Sequence, residues 1–324
     1  MKSITCQMCG GIMALDASGM TATCEYCGNR FLLDHEDTDY YQDLFSRMHA
    51  FFATPKSDQE RKQQAELLWQ KAKTRTFIRE DGVPIEIKHM YCYADKDADV
   101  YVARRNIVFH FPKHGAEKSE LFRKNISFLD YPSADIRNLE EFFPKISGGF
   151  VLEDGSYLFV IGKNEDEYPL RLFGTLPGRH AAWIISRMEN LCCVLEFSSL
   201  VHPQINPDTL YINPYTHQAS LYGNWWNAGK HNSQQPGSYK LLQLRDNLIG
   251  LRETAASVLG CTERQQVKPS SDIPRALADF ITASPCQTAY DDFAFWDDML
   301  IKAYGERKFI RMDVDDETIY GKKG

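Results

Sequence analysis

Between His180 and Ser199 apolar residues recur at three- and four-residue steps: Ala181, Ile184, Ile185, Met188, Leu191, Cys192, Leu195 and Phe197. That pattern predicts a long helix buried over a broad face. The chain before it is different. Ile85 to Tyr93, Val100 to Arg104 and Asn106 to Phe111 are short β-rich runs parted by polar turns. Ile146 to Val151 and Ser156 to Ile161 flank Glu153-Asp154-Gly155, a hairpin signal. One helix, roughly Glu117 to Leu129, is expected between these groups of strands. After Ser199 come an apolar run at Leu210 to Ile212 and a second one closed by Gly223. Leu241 to Leu251 opens another helix, and Ile273 to Tyr304 reads as two or three more. Strands first and helices afterwards predict an α+β fold with a β-rich half and a mostly helical half.

The first 75 residues stand apart. Met20 to Thr23 and Arg30 to Leu33 read as short strands. From Thr38 the pattern turns helical, with Tyr41, Leu44, Phe45 and Met48 on one stripe. Pro55-Lys56-Ser57-Asp58 breaks it, with Ser57 or Asp58 as N-cap, and a second helix carries Ala65, Leu67, Leu68 and Trp69. The expected divisions are 1–35, a helical linker over 36–75, a β-rich lobe over 76–168, a helical lobe over 169–305, and a tail over 306–324. The tail is expected either to dock as an extended strand or to move freely.

Cysteine spacing adds chemistry to the first division. Cys6-Gln7-Met8-Cys9-Gly10 and Cys24-Glu25-Tyr26-Cys27-Gly28 are matching knuckles. Each offers two thiolates to one tetrahedral ion, and the following glycine relieves the tight turn. The expectation is a zinc ribbon with a structural Zn²⁺ on Cys6, Cys9, Cys24 and Cys27. A piece this small gains its folding free energy from the metal. Four cysteines leave no open coordination position, which argues against a catalytic zinc. The other five of the nine cysteines are scattered, as suits a reducing cytoplasm.

Charge narrows the partners. The formal net charge is −7 and the pI about 5.8. Nucleic acid is therefore expected as a partner only through the ribbon, where Tyr26, Arg30 and Phe31 could form a small aromatic-basic surface. No apolar run is long enough to predict a membrane span, and Met1 to Cys6 shows no signal-peptide apolar region.

The stretch from Val201 to Trp226 carries a family resemblance. An apolar helix ends in Val201-His202, Pro207 follows, and two apolar runs close at Gly223. This resembles the catalytic and metal loops of protein kinases, H-R-D-L-x-x-x-N followed by D-F-G. The resemblance runs over about residues 76 to 305 and implies a two-lobed fold. It also implies degenerate positions. His202 holds the His place, but Gln204 stands for the catalytic Asp, Thr209 for the metal-binding Asn, and Leu221-Tyr222-Gly223 for Asp-Phe-Gly. His110 falls at the ATP-binding Lys and Asn125 near its Glu partner. Ala94 to Asp99 replaces the glycine-rich loop with three aspartates and no glycine. His202, Gly223 and Asp246 remain as framework; Asp246 occupies the position of the Asp that holds the catalytic-loop backbone. The chain looks most like divergent kinase-like proteins of bacteria and their phages that carry an N-terminal zinc ribbon. The implied function is that of a pseudokinase scaffold or regulator acting on a protein partner, without catalytic residues and without ATP. Alternatives are a nucleic-acid-binding ribbon protein and an unconventional nucleotide-dependent transferase using Asp208. Trp225 and Trp226 would either form an interaction face or pack in the lobe and shield the cleft.

Overall fold

A computed structural model describes residues 13–15, 21–24, 30–32, 58–133, 137–305, 310, 312 and 314–321. The chain divides into two units, Met1–Ser57 and Asp58–Gly324. In the first, β1 (Met13–Leu15), β2 (Thr21–Cys24) and β3 (Arg30–Leu32) form an antiparallel meander. β2 and β3 fall where strands were expected, and β2 ends on Cys24. Cys6, Cys9 and Cys27 lie outside the described residues, as does the helix expected from Thr38.

The second unit opens with α1 (Asp58–Gln70), so this helix belongs to the body rather than to a separate linker. A six-stranded antiparallel sheet follows. Its strands are β4 (Lys73–Ile78), β5 (Pro84–Ala94), β6 (Asp99–Ala103), β7 (Asn106–Phe111), β8 (Lys145–Val151) and β9 (Tyr157–Gly162). Their order is β4-β5-β6-β7-β9-β8. α2 (Gly115–Ile126) leaves β7, and a 3₁₀ turn at Arg137–Phe142 leads into β8. β4 begins three residues before Thr76, where the strand patterns were expected to start. Its sequence, Lys-Thr-Arg-Thr-Phe-Ile, buries only Phe77, so it shows no alternation. A bridge between Arg79 and Leu152 brings the end of β4 to the end of β8 and curls the sheet. Phe77, Ile87, Tyr101, Val108 and Leu158 pack together on one face. Ile107, Phe109, Phe111, Phe159 and Ile161 join the main core with Phe122 of α2.

The helical lobe begins after β10 (Tyr168–Pro169). α3 (Gly178–Phe197) is the buried central helix that its pattern predicts, with Trp183, Ile184, Ile185 and Leu195 fully buried. Then come β11 (Leu200–Val201), β12 (Leu210–Asn213), β13 (Gln218–Leu221) and β14 (Gly229–Lys230). α4 (Arg245–Val258), α5 (Arg275–Thr282) and α6 (Ala289–Tyr304) complete the lobe. Among the described tail residues, 314–321 hold a short helix rather than the expected extended strand. α7 (Asp316–Tyr320) docks by Asp316, which accepts from Trp69 Nε1 at 2.8 Å and from the Tyr168 hydroxyl. Asp315 caps this turn by accepting from the Thr318 amide at 2.9 Å.

Candidate functional site: a closed cleft

The loop from His202 to Thr209 runs from β11 to β12 across the face of the helical lobe. His202 is fully buried, and its Nε2 donates to the Gly223 carbonyl at 2.8 Å. That bond fixes the tautomer, leaving Nδ1 unprotonated and without a partner. Burial pushes the imidazole down to about 4. Gly223 packs so tightly that a Cβ there would stand 2.9 Å from Thr209 Cα, which is why no larger residue fits. Thr209 does not face outward as a metal ligand would. Its hydroxyl donates to the Gln204 carbonyl at 2.6 Å, and its residue is 1% exposed. The Gln204 side chain accepts from Asn227 Nδ2 at 2.8 Å. Leu221 is fully buried, and its carbonyl accepts from Trp225 Nε1 at 2.9 Å.

The framework role expected of Asp246 is performed one residue later. Asn247 accepts the His202 amide at 2.8 Å and donates to the Leu200 carbonyl at 2.9 Å. Asp246 instead faces outward, pairing with Lys240 at 3.1 Å and accepting from the Gln243 amide at 3.2 Å. The rotation of a helix by one residue, 100°, separates the two faces. Asn247 is the better fit for the inner one, since it can both accept from an amide and donate to a carbonyl.

His110 also departs from expectation. Successive strand residues alternate faces, so His110 points away from α2. Its Nε2 lies 3.1 Å from Ser156 Oγ, its ring packs on Phe77, and its Nδ1 is 3.5 Å from Asp99. The residues that face α2 are Phe109 and Phe111. Between them and Phe122 stands Trp226, with ring centroids at 5.3, 5.0 and 6.3 Å. The indole therefore fills the space between β7 and α2 where the kinase resemblance would put a Lys–Glu pair. Asn125 is buried there, as its helix position implies, but it bonds the following segment. Its Nδ2 donates to the Trp225 and Ala228 carbonyls at 2.9 and 2.7 Å.

The acidic loop after β5 closes over the same segment. Trp226 Nε1 donates to Asp97 at 3.1 Å, and Asn224 Nδ2 donates to Asp95 at 2.8 Å. Lys118 of α2 pairs with Asp97. Burial pushes the Asp97 carboxyl up, but the hydrogen bonds from Lys118 and Trp226 outweigh it and hold it below the ordinary range. Asp208 is engaged as well. Its carboxylate pairs with Arg171 at 3.0 Å, and its carbonyl accepts from the Tyr93 hydroxyl at 3.0 Å. Glu167, which sequence reasoning missed, is buried in the connection between the lobes. It accepts from Tyr222 at 2.9 Å, Ser220 at 3.1 Å and the Asn164 amide at 2.7 Å. It ends the polar run Lys163-Asn164-Glu165-Asp166-Glu167, so nothing local sets it apart from the acids beside it.

The sheet order, α2 packed against β7 and β9, the buried central helix and the loop joined to α4 define a protein-kinase-like fold of two lobes. No protein-family model matches the chain, and no curated protein sequence matches it. Solved structures similar in fold are kinase domains. The Toxoplasma gondii specific rhoptry antigen kinase domain gives a TM-score of 0.49 at 8% identity, covering 82% of this chain and 96% of that one. The ROP18 kinase domain, solved with AMP-PNP and sucrose, gives 0.44 at 13% identity over 81% of this chain and 94% of that one. Vaccinia related kinase 3 gives 0.47 at 11%, covering 74% and 96%. These likenesses concern fold and carry no activity across.

Proposed function

We propose that the chain is a catalytically inactive kinase-like scaffold or regulator that works by binding another protein. The observation that supports this most is Trp226, a fully packed indole standing between β7 and α2 and tied to Asp97. Phosphoryl transfer depends on positioned phosphates and charge-compensating metal ions. Here the aligned positions hold Gln204, Thr209 and Leu221, all turned into hydrogen bonds or core. In the same proposal Cys6, Cys9, Cys24 and Cys27 hold one structural zinc. Their four thiolates suit it by donor type, and elemental analysis of the purified chain should give one zinc per chain.

The decisive experiment is a melting scan with ATP and Mg²⁺. A ligand at about 100 times its Kd stabilises by roughly 2.7 kcal/mol, a shift that such a scan resolves. No shift is expected at millimolar nucleotide. A clear shift, or phosphate transfer to any protein acceptor, would overturn the proposal.

A further inference from the structure

A cavity of about 530 Å³ opens between α1, the connection between the lobes, the β12–β13 turn and α7. Most of the charged groups that line it are already engaged. Arg104 meets Glu66 at 2.6 Å and Glu165 at 3.1 Å. Asp316 holds Trp69 and Tyr168, and Asp315 caps α7. The Arg61 guanidinium lies 4.3 Å from the centre of the Tyr215 ring. Two side chains are left over. Lys62 of α1 and Asp166 of the connection line the cavity, yet among the described residues neither side chain makes a hydrogen bond or an ion pair. They are opposite in sign, stand on different walls and do not pair with each other.

The two walls ask for different charges. Partial burial and the carboxylates of Asp316 and Glu165 push the Asp166 carboxyl above its ordinary value, and Arg61 and Lys163 offset this only in part. That wall is short of a cation. Lys62 on the α1 wall has no carboxylate of its own. A bare cation would meet Asp166 and be repelled by Lys62, and a bare anion would meet the reverse. One small molecule that carries both charges satisfies both walls. The volume lies in the range of small-molecule sites, about 300–1,000 Å³, and Ala65 and the Tyr215 ring add apolar wall. We propose that this cavity binds a small zwitterion of the amino-acid class, its ammonium on Asp166 and its carboxylate on Lys62. The site shares no residue with the loop under the cleft, so it goes beyond the scaffold proposal and does not depend on it.

The probes are the standard L-amino acids, one at a time at millimolar concentration, in a melting scan of the full chain. At least one is expected to raise the melting temperature. In calorimetric titration, binding of that amino acid should weaken about tenfold or more in Asp166→Asn and in Lys62→Gln. On the native chain, the matching amine without a carboxylate and the matching acid without an ammonium should each bind about tenfold more weakly. That comparison needs no variant, so it holds even where a substitution disturbs folding. Hydrogen exchange should slow on binding in residues 58–70 and 314–321. No shift with any amino acid overturns the inference. So does binding that survives both substitutions, or an amine that binds as tightly as the amino acid. The nucleotide scan reads a different site: an ATP-induced shift would remove the inactive-scaffold proposal and leave this one standing.

Discussion

Asn247 and His202 are joined by a hydrogen bond in which the His202 amide donates to Asn247 Oδ1 at 2.8 Å. The same side chain donates to Leu200, so one buried amide satisfies backbone groups on both sides of Val201. The loop under the cleft is therefore carried by α4.

Replacing Asn247 by Ala strands a buried N–H and a buried C=O. The cost should be about 1–3 kcal/mol for each unsatisfied group. Asp246→Ala removes a side chain that pairs near the surface with Lys240, and such pairs are worth about 0–1 kcal/mol. Denaturant midpoints of the two variants should thus differ clearly, with Asn247→Ala the weaker. Equal midpoints would show that the loop does not depend on α4.

Trp226→Ala removes an indole packed against Phe109, Phe111 and Phe122. Truncation of a buried aromatic costs about 3–5 kcal/mol. Trp226→Phe keeps ring contacts and loses the bond to Asp97, at about 1 kcal/mol. Urea unfolding should rank native, Phe and Ala in that order. If the Ala variant unfolds with the native midpoint, the indole is not part of the core.

How much of this was legible in the sequence depends on whether a residue answers to periodicity or to a neighbour far along the chain. β5 to β9, α2 and α3 announce themselves by spacing, so the two lobes could be read. Of β4 only the neighbourhood of Thr76 was legible, and its bounds were not, because only Phe77 of its residues is buried. His110 was placed by its offset in a kinase-like strand, while strand parity turned it to the other face. Asp246 was chosen by motif, yet a helix position one residue on points at the loop, and an amide suits that place better than a carboxylate. For Trp225 and Trp226 an interaction face and packing over the cleft were both open, and the contacts of Trp226 with Asp97 and Phe122 link segments more than 100 residues apart. Nothing local encodes such a contact. Cys24 closes β2, while Cys6, Cys9 and Cys27 lie outside the described residues, so the zinc tetrad is argued from cysteine spacing.

His202 sets a pH dependence. Its folded pKa is about 4, below the ordinary 6.5, because burial disfavours the cation. Between those values the unfolded chain binds the proton and the folded chain does not. Stability is therefore complete above about pH 6.5 and falls as the pH drops, by about 3 kcal/mol on reaching pH 4. Burial lowers His180 as well, so the comparison must isolate one residue. His202→Gln retains a donor for Gly223 and cannot titrate. Its stability between pH 6.5 and 4 should fall less steeply than the native chain's, by up to one proton in slope. Parallel curves for the two proteins would refute the assignment.

The tail supplies the last prediction. Asp316 takes two donors, Trp69 Nε1 from α1 and the Tyr168 hydroxyl from the connection between the lobes. Around it Trp69, Tyr168, Leu172, Ile319 and Tyr320 form a separate small cluster. Both donors are neutral and the acceptor is charged, which makes these hydrogen bonds stronger than neutral pairs. Asp316→Ala leaves an indole N–H and a phenol in a partly buried site with no acceptor, at roughly 1–3 kcal/mol for each that stays dry. Asp316→Asn keeps an acceptor and should recover part of the loss. Because the cluster joins α1 to the tail, the effect should be local: hydrogen exchange should rise in residues 58–70 and 314–321 and stay unchanged in α3. Exchange that rises evenly through α3 as well would mean that the tail supports the whole body rather than fastening α1.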